Sequence, residues 1–301
     1  MPMRLDKLVA DRFGLSRRTA QEAVRNGRVD LAGSRCDEPG REVEPDAAVE
    51  FHPNRPKART VAGRLKVLFE DRHLMIVNKP AGMLTLPTPN RERDTLIERA
   101  GRYLTIRHGL NRPYVGVVHR LDMDTSGALA LARTPEASRA LQALFKAHDI
   151  ERQYLAVVEG RLGPSSGTIN LPLVTDRGDL RRGVGRRPGE GKPAVTHYRV
   201  VERFGPVATL LACWLETGRT HQIRIHMAEV GHPVVGEPVY RPRTAVKCKA
   251  KFHRQALHAQ TLGFVHPLTG DPVRAEAPLP PDIDGLIVDL RNRYGIPNAG
   301  G

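Results

Sequence analysis

Hydrophobic positions recur at helical spacing near both ends of the chain, with short strand-like runs between them. Leu5, Leu8, Val9 and Phe13 predict an amphipathic helix over residues 4–13, stopped by Gly14. Ser16 is placed to cap a second helix, 17–26, with Ala20, Ala23 and Val24 inward and Gly27 at the stop. Arg17, Arg18, Gln21 and Arg25 then point outward. Short strands at 29–31 and 48–51 close this small unit. Further on, apolar segments at 65–70 and 74–78 flank an Asp71-Arg72-His73 turn and predict a hairpin. Helices are expected at 95–104, from Pro135 with Ala140, Leu141, Leu144 and Phe145 as the buried stripe, and at 220–230 between Thr220 and Gly231. A last helix, 284–294, aligns Leu286, Ile287, Leu290 and Tyr294 on one face. Strands at 152–159, 195–203 and 207–215 outweigh the helices, and the two do not alternate regularly. The pattern predicts an α+β fold with a mostly antiparallel mixed-sheet core, not a doubly wound parallel sheet.

At the centre of this pattern, Val117 to Gly127 reads V-V-H-R-L-D-M-D-T-S-G and is followed by the apolar run 128–132. The layout is strand, tight polar loop, strand, and loops braced by strands are where catalytic groups sit. On local pattern alone, Arg120 and Asp122 serve equally well as an ion pair that pins a turn.

Charge changes the picture. The chain has 301 residues and a formal net charge of +14, an excess that points to a polyanionic partner such as nucleic acid. Residues 1–52 hold nine basic and ten acidic side chains, so the excess lies in the remainder. Residues 53–66, 177–192 and 241–254 are strongly basic; the first reads as a linker and the other two as loops suited to phosphate. The Gly-rich loop is not a nucleotide-binding Walker loop, because Lys192 is followed by Pro193. Cys36, Cys213 and Cys248 are too scattered for a disulfide framework or a cysteine zinc site. No run approaches the roughly 18 apolar residues of a membrane span, and the first residues lack a signal-peptide core. A cytoplasmic, monomeric chain without membrane contact is expected.

Two further segments carry chemistry. E151-R-Q-Y154 sets a tyrosine at the head of an apolar strand, and E216-T-G-R-T-H-Q-I-R-I-H-M227 concentrates Arg219, His221, Gln222, Arg224 and His226. His221 and His226 are five apart, unlike the i, i+4 pair of a zinc helix, so no metal is expected.

R-L-D-K-L at 4–8, S-R-R at 16–18 and G-R-V-D at 27–30 resemble the S-four-like RNA-binding domain. The family usually has V-x-V-N-G after the second helix, and this chain has V29-D-L-A-G33. The remainder resembles the RluA-type pseudouridine synthases. H119-R-L-D122 with D124-T-S-G127, Tyr154, G218-R219 with H221-Q-I-R224, G231-H-P233 and Q255-A-L-H-A259 match that family's signatures in order. N78-K-P-A-G82 fits its opening segment, without the histidine that often follows.

The resemblance implies three parts: an RNA-binding domain over 1–52, a basic linker over 53–64 and a catalytic domain over 65–301. It implies that uridine in structured RNA is isomerised to pseudouridine without a cofactor. Ribosomal RNA is the expected substrate, with transfer RNA as the alternative and a non-catalytic ribosome-assembly protein as the rival class. Asp122 would supply the carboxylate, as nucleophile or base. Arg224 would pair with it and keep it ionised. Tyr154 would stack on the base and assist proton transfer. Arg120 would fill the space left by a flipped nucleotide, and Leu257 would floor the base. His119 and Arg219, with Arg17, Arg18 and Arg25 of the small domain, would contact RNA.

Overall fold

The computed structural model describes residues 2–26, 28–32, 34–36, 39–53, 65–87, 94–177, 182–242, 245 and 248–294. The expected stop at Gly27, residue Gly33, nearly all of the basic linker and parts of the basic loops lie outside the described residues, as does the side chain of Arg25. The chain divides into two compact units, Met1–Arg64 and Leu65–Gly301.

The first unit runs β1 (Met3–Arg4), α1 (Leu5–Phe13), α2 (Arg17–Arg25), β2 (Val29–Leu31), β3 (Ser34–Cys36), β4 (Glu42–Val43) and β5 (Val49–Phe51). β2 is the centre of a three-stranded antiparallel sheet, and β1 pairs with β4. Leu5, Leu8, Val9, Ala20, Ala23 and Val24 pack on Val29 and Val49, as the helical spacing requires. α1 ends at Gly14 with φ 64°, a left-handed conformation that glycine adopts without strain. Ser16 Oγ accepts from the Thr19 N–H at 3.1 Å and starts α2. The buried Asp6 accepts two hydrogen bonds from Arg4 and one from Gln21, with Arg17 at 3.8 Å. These partners, the Arg4 hydrogen bond foremost, hold its carboxyl below the usual range. Arg17 is therefore partly tied to the unit's own frame, whereas the side chain of Arg18 is 90% exposed.

The second unit continues with β6 (Lys66–Glu70), β7 (Leu74–Lys79), α3 (Leu96–His108), β8 (Gly116–Val117), β9 (Ser126–Ala132) and α4 (Pro135–Ala147). Next come β10 (Glu151–Glu159), β11 (Ser166–Asn170), β12 (Leu173–Val174), β13 (Gly183–Val184), β14 (Val195–Phe204) and β15 (Ala208–Leu215). α5 (Gln222–Glu229), β16 (Leu257–Val265), β17 (Pro272–Glu276) and α6 (Pro281–Tyr294) complete it. Ten strands form one sheet in the order β11-β14-β15-β10-β16-β9-β7-β6, with β17 on β16 and β8 on β9. The ladders of this sheet are antiparallel except β9–β16. This is the α+β mixed sheet that the strand-rich pattern predicts.

β9 is buried along its whole length because both its faces are covered. Ala128, Ala130 and Ala132 pack with Ala137 and Leu141 of α4, while Leu129 and Leu131 pack with Leu96, Ala100 and Leu104 of α3. A strand enclosed on both faces shows an unbroken apolar run instead of alternation.

Three expectations shift. The buried stripe of α4 lies one turn earlier than predicted, on Ala137, Ser138 and Leu141, with Leu144 and Phe145 half-buried. α6 begins at Pro281, since proline fits the first helical turn, where its missing N–H costs nothing. α5 begins at Gln222, and Thr220 does not cap it. His221 occupies the cap position at φ 61°, a left-handed conformation unusual outside glycine. Gln222 fixes that turn: its Oε1 accepts from Thr217 Oγ1 at 2.7 Å and the Arg219 N–H at 3.0 Å.

Candidate active site

The loop between β8 and β9 carries Asp122, and its backbone is held by two side chains remote in sequence and by a turn of its own. Lys79 Nζ donates to Met123 O at 2.8 Å, and also to Met83 O at 2.8 Å and Pro80 O at 3.0 Å. Arg254 donates to Asp124 O at 2.9 Å, and the Thr125 N–H closes a turn on Asp122 O at 3.1 Å. Past the loop, Gly127 lies in the parallel pairing with Ala259 at φ 124°. A Cβ there would sit 2.1 Å from Ala259 O, so the T-S-G ending is a requirement of close backbone approach. Ser126 Oγ and His258 Nδ1, 3.0 Å apart, fasten the same junction, with His258 Nε2 donating to Ala277 O at 3.1 Å.

On this rigid loop the Asp122 carboxylate meets α5. Arg224 Nη1 donates to Asp122 Oδ2 at 3.0 Å. The rest of the same guanidinium grips Glu237 in bidentate fashion, Nε to Oε2 at 2.7 Å and Nη2 to Oε1 at 2.8 Å. Glu237 is fully buried and also accepts from the N–H groups of Val239 and Tyr240. Arg224 thus bridges two carboxylates, and they raise its pKa further despite the opposing effect of burial. Its guanidinium also lies over the Tyr240 ring, 5.2 Å from the centroid. His221 approaches from the other side, with Nε2 3.7 Å from Asp122 Oδ1 and Nδ1 2.7 Å from the Tyr240 hydroxyl. Burial lowers the His221 pKa and favours the neutral ring.

Asp122, Tyr154, Arg224 and Leu257 line one pocket, together with His119, Arg120 and Arg219. Tyr154 follows a bulge in β10 between Gln153 and Tyr154, a device that re-aims side chains. Its hydroxyl pKa is raised, chiefly by burial. Leu257 is buried at the start of β16. Arg120 is exposed and makes no hydrogen bond or ion pair among the described residues. His119 is turned inward: its ring stacks on Phe145 at 4.2 Å and its Nε2 accepts from the Ala130 N–H at 2.9 Å. Burial pushes its pKa down to about 3, so it is a neutral acceptor that ties the loop to β9. Arg219 Nε donates to Pro193 O at 3.1 Å, which anchors one edge of that side chain. His226 serves the core, between Thr196 Oγ1 and Leu171 O.

The sequence profile described as RNA pseudouridylate synthase matches residues 73–229, and that of the S4 domain matches residues 3–49. The chain belongs to the RNA pseudouridylate synthase family. It is 40% identical over 295 residues to the "Uncharacterized RNA pseudouridine synthase YlyB" of Bacillus subtilis (strain 168), covering 96% of this chain and 94% of that protein. It is 44% identical over 240 residues to the "Ribosomal large subunit pseudouridine synthase D" of Xanthomonas campestris pv. campestris, covering 75% of this chain and 70% of that one. The solved structure "Human RNA Pseudouridylate Synthase Domain Containing 4" shares the fold, with a TM-score of 0.62 at 22% identity over 79% of this chain and 97% of that one. The synthase is therefore an isomerase acting on RNA, with an N-terminal S4 domain. No helix among the described residues is long and apolar enough to cross a membrane.

Sequence reasoning did not single out Lys79, Glu237 or Tyr240 of the synthase. Lys79 stands in the N-K-P-A-G segment, yet nothing local shows that a lysine there is fully buried. Burial pushes its pKa down to about 7 from an ordinary 10.5. Between those values the unfolded chain binds a proton that the folded one lacks, so this group's contribution to stability rises with pH across that window. Lys79→Met is expected to destabilise the fold at pH 7, because three carbonyls lose a donor, by about 1–3 kcal/mol or more. It should also flatten the rise in stability between pH 7 and 9.5. Urea unfolding of both proteins at the two pH values checks this; parallel pH trends would contradict it.

Proposed function

We propose that this synthase converts uridines of large-subunit ribosomal RNA to pseudouridine, with Asp122 as the reacting carboxylate. The observation that carries the reading is the asymmetry of that carboxylate. Arg224 holds Oδ2, while among the described residues Oδ1 has His221 alone as an ion-pair neighbour, at 3.7 Å, inside a pocket that Tyr154 also lines. One oxygen is fixed and the other is available to a nucleoside. Ribosomal RNA is favoured because the relative with 44% identity carries that substrate in its name.

The reaction breaks the bond from C1′ to N1 of uracil and forms one from C1′ to C5. The C5 proton leaves and N1 gains one, so no redox partner is needed. Asp122 acts beside the anomeric carbon, and Arg224 orients it through the Nη1–Oδ2 hydrogen bond. Tyr154 stacks on the base and assists removal of the C5 proton, and Leu257 floors the ring. A uridine inside folded RNA must first leave its stack, at a cost of a few kcal/mol. Arg120, without a hydrogen-bond or ion-pair partner among the described residues, occupies the vacated space. Arg219 contacts the backbone, whereas His119 acts by positioning the loop. In the S4 domain the exposed side chains of Arg17 and Arg18 meet phosphate, and Arg25, whose side chain lies outside the described residues, takes the same role on its place in the sequence. The enzyme works as a cytoplasmic monomer.

Ribosomal and transfer RNA transcripts carrying tritium at C5 of uridine test the substrate class. Release from the large-subunit transcript without added cofactor is expected. Release from transfer RNA alone would overturn the ribosomal assignment, and release from neither would overturn the assignment of both RNA classes.

A further inference from the structure

The pocket of Asp122 is also lined by a second group of residues that the chemistry above leaves unused: Phe145, Lys146, His148, Arg152 and Gly218. Arg152, the second residue of β10, is only 8% exposed. Among the described residues no carboxylate lies within ion-pair distance of it. Its Nη2 donates to Leu215 O at 3.2 Å and lies 3.4 Å from His148 Nδ1, while its Nε is buried without a partner. An arginine stays charged under such burial, and a buried cation without a counter-charge is strongly unfavourable.

The surroundings make this worse. The charge of Arg152 adds to burial in lowering the pKa of both His119 and His148, and Arg219 acts on His148 as well. The local field is positive. It is also open on one side: Gly218 is exposed, and a Cβ there would sit 2.9 Å from Arg152 Nη1. Any larger residue would cover the guanidinium that glycine leaves accessible. Tyr154 feels the charges of both Arg152 and Asp122, which places the stacking residue near the two of them.

We propose that Arg152, with His148 and Arg219 beside it, is a phosphate-binding site that takes the phosphodiester adjoining the flipped uridine. The inference rests on Asp122 being the reacting group. A base stacked on Tyr154 with its sugar at Asp122 brings its own backbone phosphate into this pocket. That phosphate supplies the missing negative charge and the acceptor oxygens that a guanidinium fork matches. The residue is silent in the free enzyme and engaged only when RNA is bound.

Arg152→Met and Arg152→Lys test the site in two independent ways. In the RNA-free enzyme, inorganic phosphate should raise the melting temperature of the wild type more than that of Arg152→Met, against sodium chloride at equal ionic strength. With tritiated RNA, Arg152→Met should raise KM roughly tenfold or more, with the loss concentrated in KM, as expected for one charged hydrogen-bonding contact. The salt dependence of RNA binding should fall by about one charge, and Arg152→Lys should recover part of the KM loss. Without ligand, Arg152→Met should melt no lower than the wild type, because a buried unpaired charge is gone. An equal phosphate effect in both proteins, or an unchanged KM and salt slope, would overturn the site. So would a lower melting temperature with kcat and KM impaired together, the signature of a brace for Leu215. A wild type that binds phosphate through Arg152 yet releases no tritium would instead count against the reading of Asp122.

Discussion

Asp122→Asn is expected to lower tritium release from RNA by on the order of 10⁴-fold or more, the loss typical when a reacting side chain is removed. RNA affinity should stay within a few-fold of the wild type. Asparagine is isosteric, and its carbonyl oxygen still accepts from Arg224 Nη1 where Asp122 Oδ2 does at 3.0 Å. Loop geometry is set elsewhere, by Lys79 on Met123 O and Arg254 on Asp124 O, and neither contact involves the carboxylate. The amide lacks the charge and lone-pair basicity that the nucleoside step demands. Filter binding and tritium release on the same preparations separate the two effects. Residual activity within tenfold of the wild type would remove Asp122 from the chemistry, and lost binding would make it a structural pin.

Glu237→Ala should be the most damaging change that touches no substrate. Glu237 is fully buried and receives two hydrogen bonds from Arg224 and two from backbone N–H groups. Its removal breaks the bidentate half of the buried Arg224 network, leaving Asp122 as the remaining counter-charge, and orphans two backbone N–H groups, at a cost of about 3–5 kcal/mol. Arg224 would then be drawn toward Asp122 alone, and the oxygen available to substrate would change. Stability measured by urea unfolding and kcat are both expected to fall. Glu237→Gln keeps one acceptor and should recover part of the stability. A loss under about 1 kcal/mol for the alanine variant would show that Arg224 finds its support elsewhere.

How much of this could be read along the chain depends on how local each cause is. Helices α1 and α2 follow from spacing and caps at Gly14 and Ser16, which lie within a few residues of what they control. The H-R-L-D loop and its bracing strands follow from an abrupt change between apolar and polar residues. The start of α5 did not, because a buried glutamine, Gln222, and not a hydroxyl cap, organises the turn before it. Nor did the short strands β11, β12, β13 and β17, or β16, where buried His258 and Thr261 interrupt the apolar pattern. In the site, Asp122, Tyr154 and Arg224 stood out by type and order. Glu237 did not, since an acid between Gly236 and Pro238 looks like any surface turn until the fold brings Arg224 of α5 to it. His119 shows the reverse case. A polar residue beside Arg120 suggests RNA contact, but stacking on Phe145 and the Ala130 N–H turn it inward. Lys79 and Arg152 share a lesson: a buried cation is invisible in composition, because its cost and its purpose both come from neighbours remote in sequence.

Isomerisation of uridine at this active site leaves its mark on the product itself. Large-subunit ribosomal RNA incubated with the wild-type enzyme is digested to nucleosides and separated, with free bases measured in the same run. A new nucleoside of the same mass as uridine is expected, resistant to glycosidic cleavage as a carbon–carbon bond requires, with no free uracil. Free uracil in step with uridine loss would show hydrolysis in place of isomerisation, and unchanged uridine would contradict the assignment of this RNA as substrate.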